Sequence, residues 1–301
     1  QTAEDTKKVY AAASMDFVAG LWKEAPAVSR TFTAVPLLLH VAGYFWGRQL
    51  ALLKLSLLTF RHGYLWGVLT SAFWEPAGGL LQTLFSLLIA FWTLSQLPQL
   101  ERAMGSSKLL LGALTAAIAI NLLFLLMAFA LDAFSELQGH ASVWPLVTSH
   151  GLIPLAVYAL TLRSLQAGEA ETTFFGIPMK AKYYPLVLVG LFALLNGPAV
   201  LPDVAALALG YMHSRANLHA VLPSDGKLQR WERSTFSFLL GRRLFGGSWI
   251  RMDEAGAGLP MFGGEAQARP RYQVIGRHAQ APPAQGTEFR VFQGSGHRLG
   301  S

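Results

Sequence analysis

The sequence predicts an all-α membrane protein: a six-helix bundle followed by a disordered cytosolic C-terminal tail. Three observations predict it. Of 301 residues, 52% are hydrophobic, 14% are charged, and mean hydropathy is +0.38, whereas an ordinary soluble domain carries about 25% charged residues. Uncharged runs long enough to cross a bilayer recur at Pro76–Leu100, Leu109–Leu131, Leu137–Leu162 and Tyr183–Pro202, since about 20 apolar residues suffice. The basic residues are also sided. With both termini and the even-numbered loops on one side, that side holds twenty Lys and Arg and the other holds three. The positive-inside rule then puts both termini in the cytosol.

Residues 1–30 form a cytosolic N-terminal segment. They lack the apolar run of a signal peptide, because Asp16 and Glu24 interrupt them. Tyr10, Ala13, Phe17 and Leu21 share one helical face and, with Trp22, predict an amphipathic helix lying on the membrane. Pro26 starts the next helix, and Arg30 is expected to snorkel from its interfacial end. The membrane domain is 31–223. Its first span is Thr31–Gly47, and the apolar, aromatic-rich connection 48–75 is expected to lie in the interface. The second span falls within Pro76–Leu100 and the third is Leu109–Leu131, closed by Asp132 and Glu136. The fourth is Val143–Leu162, the fifth Tyr183–Leu201 and the sixth Val204–Leu222, ending at Pro223. Strands have no place in this plan. Residues 224–301 hold 13 of the 29 glycines and little apolar periodicity, so most of them should be disordered. A short helix is expected around Trp231–Leu244.

Zero cysteines exclude disulfides, thiolate metal sites and a cysteine nucleophile. His40, His140 and His150 lack metal-ligand spacing, and no phosphate-cradling glycine loop occurs, so no metal or cofactor is expected. The basic tail follows from positive-inside topology and does not call for nucleic acid.

Four short elements carry a family resemblance. Pro26-Ala27-Val28-Ser29-Arg30-Thr31-Phe32-Thr33 precedes the first span. Trp66-Gly67-Val68-Leu69-Thr70-Ser71-Ala72-Phe73 lies in the first connection. Phe174-Phe175-Gly176-Ile177-Pro178-Met179-Lys180-Ala181-Lys182-Tyr183-Tyr184-Pro185 is a surface turn between the fourth and fifth spans. There Gly176 and Pro178 break helix, Lys180 and Lys182 face water, and Tyr183 sits at re-entry. Phe292-Gln293-Gly294-Ser295-Gly296-His297-Arg298-Leu299-Gly300 closes the tail, with Phe292 and Leu299 as anchors on a backbone that two glycines leave approachable. In this order the elements resemble those of the Derlin family, as does Glu101 in the Leu100-Glu101 pair after the second span. The family positions are thus Pro26, Arg30, Trp66, Thr70, Glu101, Gly176, Lys180, Tyr183 and Pro185. Gly67 departs from the pattern, which has Arg there. The last element resembles the SHP box, which in Derlins recruits the valosin-containing AAA ATPase.

The resemblance implies a rhomboid-like six-helix pseudoprotease of the endoplasmic reticulum membrane. The implied function is export of misfolded proteins for degradation, as an oligomer, with a membrane-embedded ubiquitin ligase complex and the ATPase as partners. Active rhomboids need a serine on helix four and a histidine on helix six. Ser149 and His213 are the matching residue types, but Val147-Thr148-Ser149-His150-Gly151 lacks the flanking glycines that build an oxyanion hole. No catalytic residue is therefore implied. His213 and Arg215, polar groups within a span, are candidates for a wet client groove. Two alternatives stay open: an active intramembrane serine protease, and a Derlin relative importing proteins across a plastid-surrounding membrane.

Overall fold

The computed structural model describes residues 16–76, 80–174, 176–216, 224–234 and 244–255. Residues 16–24 form helix α1. Pro26 caps α2, Ala27–Leu50, which runs through Pro36 and kinks at Trp46. The connection after it is compact: β1 (Leu55–Ser56), α3 (Leu57–Arg61) and α4 (Gly67–Thr70) follow in turn. Ser56 caps α3 through a reciprocal box with Thr59. Then come α5 (Leu80–Met104) and α6 (Ser106–Leu137). β2 (Thr148–Ser149) and α7 (Ile153–Ala167) follow. β3 (Glu171–Phe174), β4 (Ile177–Lys180), α8 (Tyr184–Asn196), α9 (Leu201–Ala216) and α10 (Asp225–Ser234) complete the described chain.

The chain is mostly helical, as its composition requires, but four expectations need correction. Strands do occur: β1 pairs antiparallel with β2, and β3 with β4 in a hairpin turned at Gly176. The fourth helix starts at Ile153, ten residues later than expected. Pro145, the positive φ of Gly151 and Pro154 at the first turn hold 143–152 out of α-helix, leaving only a 3-10 turn at Trp144–Leu146. The third helix runs past Leu131 to Leu137, because Asp132 is buried and paired with Arg61 of α3 at 2.9 Å. Finally, the helix expected around Trp231–Leu244 begins at Asp225, and residues 244–252 pack back onto the bundle.

The core follows from four-residue spacing. Ala116, Ile120, Phe124 and Ala128 form one stripe of α6, which packs with Val157 and Leu162 of α7 and Ala205 and Ala206 of α9. The opposite side of α6 shows Leu122, Leu126 and Phe129 at 51%, 64% and 54% exposure. Such outward leucine and phenylalanine faces are costly in water and favourable in hydrocarbon. Ser106–Leu137 and the Ala181–Arg215 segment are long and apolar enough to cross a membrane.

Candidate functional site

Three of the family positions, Pro26, Arg30 and Glu101, lie at one end of the bundle. Pro26 offers no side-chain acceptor to the free N–H groups at the start of α2. Glu101 supplies one from the last turn of α5. Its carboxylate, fully buried, accepts from Val28 N (2.9 Å), Ser29 N (2.7 Å), Ser29 Oγ (2.6 Å) and Ser106 Oγ (2.5 Å). A carboxylate at a helix N-terminus is favoured by both its hydrogen bonds and the helix dipole. Arg30 does not snorkel. It is 7% exposed, and donates to Ala25 O (2.6 Å), Lys23 O (2.8 Å) and Phe245 O (3.0 Å), with Trp22 stacked 5.4 Å away. It thereby binds the end of α1, the start of α2 and the returning tail.

A second buried carboxylate completes this junction. Glu232 of α10 accepts from Ser107 Oγ (2.5 Å), Trp249 Nε1 (3.2 Å) and Met252 N (3.1 Å). Residues 248–250 bond to the helix starts directly: Ala27 N donates to Ser248 O (2.9 Å), Ser106 N to Ile250 O (2.9 Å), and Ile250 N to Ser106 Oγ (2.8 Å). Glu232 and Trp249 were missed in the sequence because glycine-rich composition masked two isolated, well-spaced anchors.

The second family element braces the connection. Trp66 Nε1 donates to Leu52 O and Thr70 Oγ1 to Leu53 O, both at 3.0 Å. Gly67 is buried, and a Cβ there would lie 3.1 Å from Lys54 O. Any side chain at this position would push against the Lys54 carbonyl and Leu55, which would have to give by a few tenths of an ångström. The third element is the β3–β4 hairpin. Lys180 (2.6 Å) and Lys182 both pair with Glu169, whose carboxyl is held at about 2 by hydrogen bonds first from Lys180 and then from Lys182. Tyr183 lies beside the Lys182 ammonium, 5.0 Å from it, and Pro185 is buried in the first turn of α8.

The serine and histidine sit apart in their bonding. Ser149 lies in β2, on no helix, and is buried. Its hydroxyl donates to Asn121 Oδ1 at 2.7 Å, and Asn121 Nδ2 donates to Val68 O (2.8 Å) and Ser71 Oγ (2.9 Å). An amide oxygen does not take a proton as an imidazole does, so this bond positions Ser149 without activating it. His213 Nδ1 is bonded to Tyr158 Oη at 2.5 Å. Asn121 was missed although it is the one amide in the run Leu109–Leu131. Of the groove candidates, His213 is buried against α7, whereas Arg215 is exposed in the last turn of α9. The anchors Phe292, Gly294, Gly296, Leu299 and Gly300 lie outside the described residues, as do Tyr10 and Ala13.

No family model matches the chain. Among curated proteins it is similar to DER1-like family member protein 1 of Saccharomyces cerevisiae, 21% identical over 292 residues that cover 93% of this chain and 78% of the relative.

Proposed function

We propose that the chain is a Derlin-like, rhomboid-like pseudoprotease of the endoplasmic reticulum membrane that helps misfolded proteins leave for degradation. The observation that carries this reading is the junction at the bundle end. Glu101, more than seventy residues along the chain, caps the helix that Pro26 opens and that Arg30 ties to the carbonyls before it, and the similarity to a DER1-like protein runs along nearly the whole chain. The bonding of Ser149 to Asn121 supports a role without catalysis. The charge bias favours both termini in the cytosol. In this reading the bundle handles unfolded clients beside a membrane-embedded ubiquitin ligase complex, as one copy in an oligomer. The tail end docks the valosin-containing AAA ATPase.

The docking step is tested by titrating a peptide of residues 287–301 against the ATPase N-terminal domain. Phe292→Ala and Leu299→Ala should each weaken binding roughly thirtyfold, the equivalent of about 2 kcal/mol for a hot-spot anchor. Equal affinity of the wild-type and doubly substituted peptides would remove the tail from the reading.

A further inference from the structure

The sheet of β3 and β4 has two strands, so each strand has an outer edge. Its register pairs Glu171 with Lys180, Thr172 with Met179, Thr173 with Pro178 and Phe174 with Ile177. A directly hydrogen-bonded antiparallel pair exchanges two N–H···O bonds, and Pro178 has no N–H to give. Thr173 and Pro178 are therefore a non-hydrogen-bonded pair and, by alternation, so are Glu171 and Lys180. The backbone groups of these four residues point outward, away from the hairpin's own ladder. On β4 the missing donor of Pro178 and the charge of Lys180 blunt that edge. On β3 both donors and both acceptors are kept, and Glu171 and Thr173 are exposed. Among the described residues, no hydrogen bond from outside the hairpin reaches either of them. The hairpin is tied at both ends. Ala181 N donates to Ala170 O (2.8 Å) and Lys182 N to Gly168 O (3.1 Å), while the Phe174 ring meets Tyr184 edge-on at 5.4 Å.

We propose that the outer edge of β3 binds an extended segment of unfolded polypeptide, which joins the sheet as a third strand. Outward N–H and C=O groups in strand spacing are matched by another extended backbone. An edge already held in place costs little further ordering when it binds. Side chains select the guest. Glu171 and Thr173 lie on one face of β3, Thr172 and Phe174 on the other. Glu169 takes both Lys180 and Lys182, whereas Glu171 makes no ion pair among the described residues. A guest with a basic side chain beside Glu171 and an apolar one beside Phe174 complements both faces. Such alternation of polar and apolar residues is what a half-buried strand exposes when its protein unfolds. The inference rests on the proposed function, which sends an unfolded client out on the cytosolic side, where the charge bias puts this hairpin.

The test uses the full chain in phosphatidylcholine nanodiscs and a fluorescent eight-residue peptide alternating valine with lysine, followed by anisotropy. The same peptide N-methylated at every residue keeps its side chains and charge but has no amide donor. It should bind at least tenfold more weakly. Thr173→Pro removes an outward donor from β3 and should weaken the parent peptide at least tenfold. Glu171→Lys should reverse the preference, so that a valine–glutamate peptide binds better than the valine–lysine one. Failure of the parent peptide to bind, or equal binding of the N-methylated one, would overturn the inference, and both arms need only the wild-type chain. Unchanged affinity for Thr173→Pro would place the peptide elsewhere and overturn it as well. The chain has no cysteine, so Thr173→Cys carries a unique thiol. On mild oxidation it should trap a cysteine-bearing copy of the peptide. A disulfide dimer of the chain formed instead would put a second copy on the edge and overturn the polypeptide occupant. Failure here leaves the tail-peptide titration untouched, so it is distinguishable from failure of the proposed function.

Discussion

Glu101→Ala is expected to destabilise the folded chain by about 3–5 kcal/mol, because it strands buried donors that only this carboxylate serves. Val28 N, Ser29 N, Ser29 Oγ and Ser106 Oγ would all lose their acceptor, and the start of α2 would lose its cap. Glu101→Gln should lose less, since it keeps one acceptor oxygen and the shape while giving up the charge. Unfolding of the purified chain in detergent measures both. A loss below about 1 kcal/mol for Glu101→Ala would show that the donors find water or another partner at low cost.

Gly151→Ala is the other large effect. Gly151 has φ +74 and donates its N–H to Ser71 O at 2.8 Å. A Cβ there would run into the carboxylate of Glu75. An alanine thus meets left-handed strain of about 1–2 kcal/mol and overpacking against Glu75 of about 1–3 kcal/mol. The two parts separate in a double-mutant cycle. Glu75→Ala in the Gly151→Ala background should recover the steric part and leave the strain. Additive losses in that cycle would mean that the two residues do not touch as described.

Helices with a long uncharged run were legible in the sequence, because length and composition alone mark them. Ser106–Leu137 is the clear case. What composition could not place was irregular backbone inside apolar sequence. Residues 143–152 read as the start of a helix, yet the backbone groups of Thr148 and Ser149 pair with Leu55 and Ser56. Nothing in hydropathy distinguishes those two outcomes; the helix-breaking residues Pro145, Gly151 and Pro154 do. Arg30 was misplaced for a related reason. A basic residue near a helix start reads as solvent-facing, but carbonyls of Lys23, Ala25 and Phe245 converge on it. Two of those carbonyls belong to the preceding helix end, which a local reading could find. The third lies 215 residues away. The tail shows the same limit: Gly247 reads as linker, but a Cβ there would lie 2.9 Å from the Ala27 nitrogen, so the glycine allows close approach to the start of α2.

The candidate site divides along the same line. The motif residues were legible by their order, while the partners that give them meaning, Asn121 for Ser149 and Ser106 for Glu101, come from other elements. Asn121 also bears on the central claim, that the bundle works on clients without cutting them.

The most direct measurement is the half-life of a misfolded client of the endoplasmic reticulum in cells whose own Derlin has been replaced by this chain. The account predicts that the wild-type chain and Ser149→Ala restore the same short half-life, and that a serine-reactive fluorophosphonate labels neither. A client stabilised by Ser149→Ala at normal protein levels, with probe labelling of the wild type alone, would contradict it.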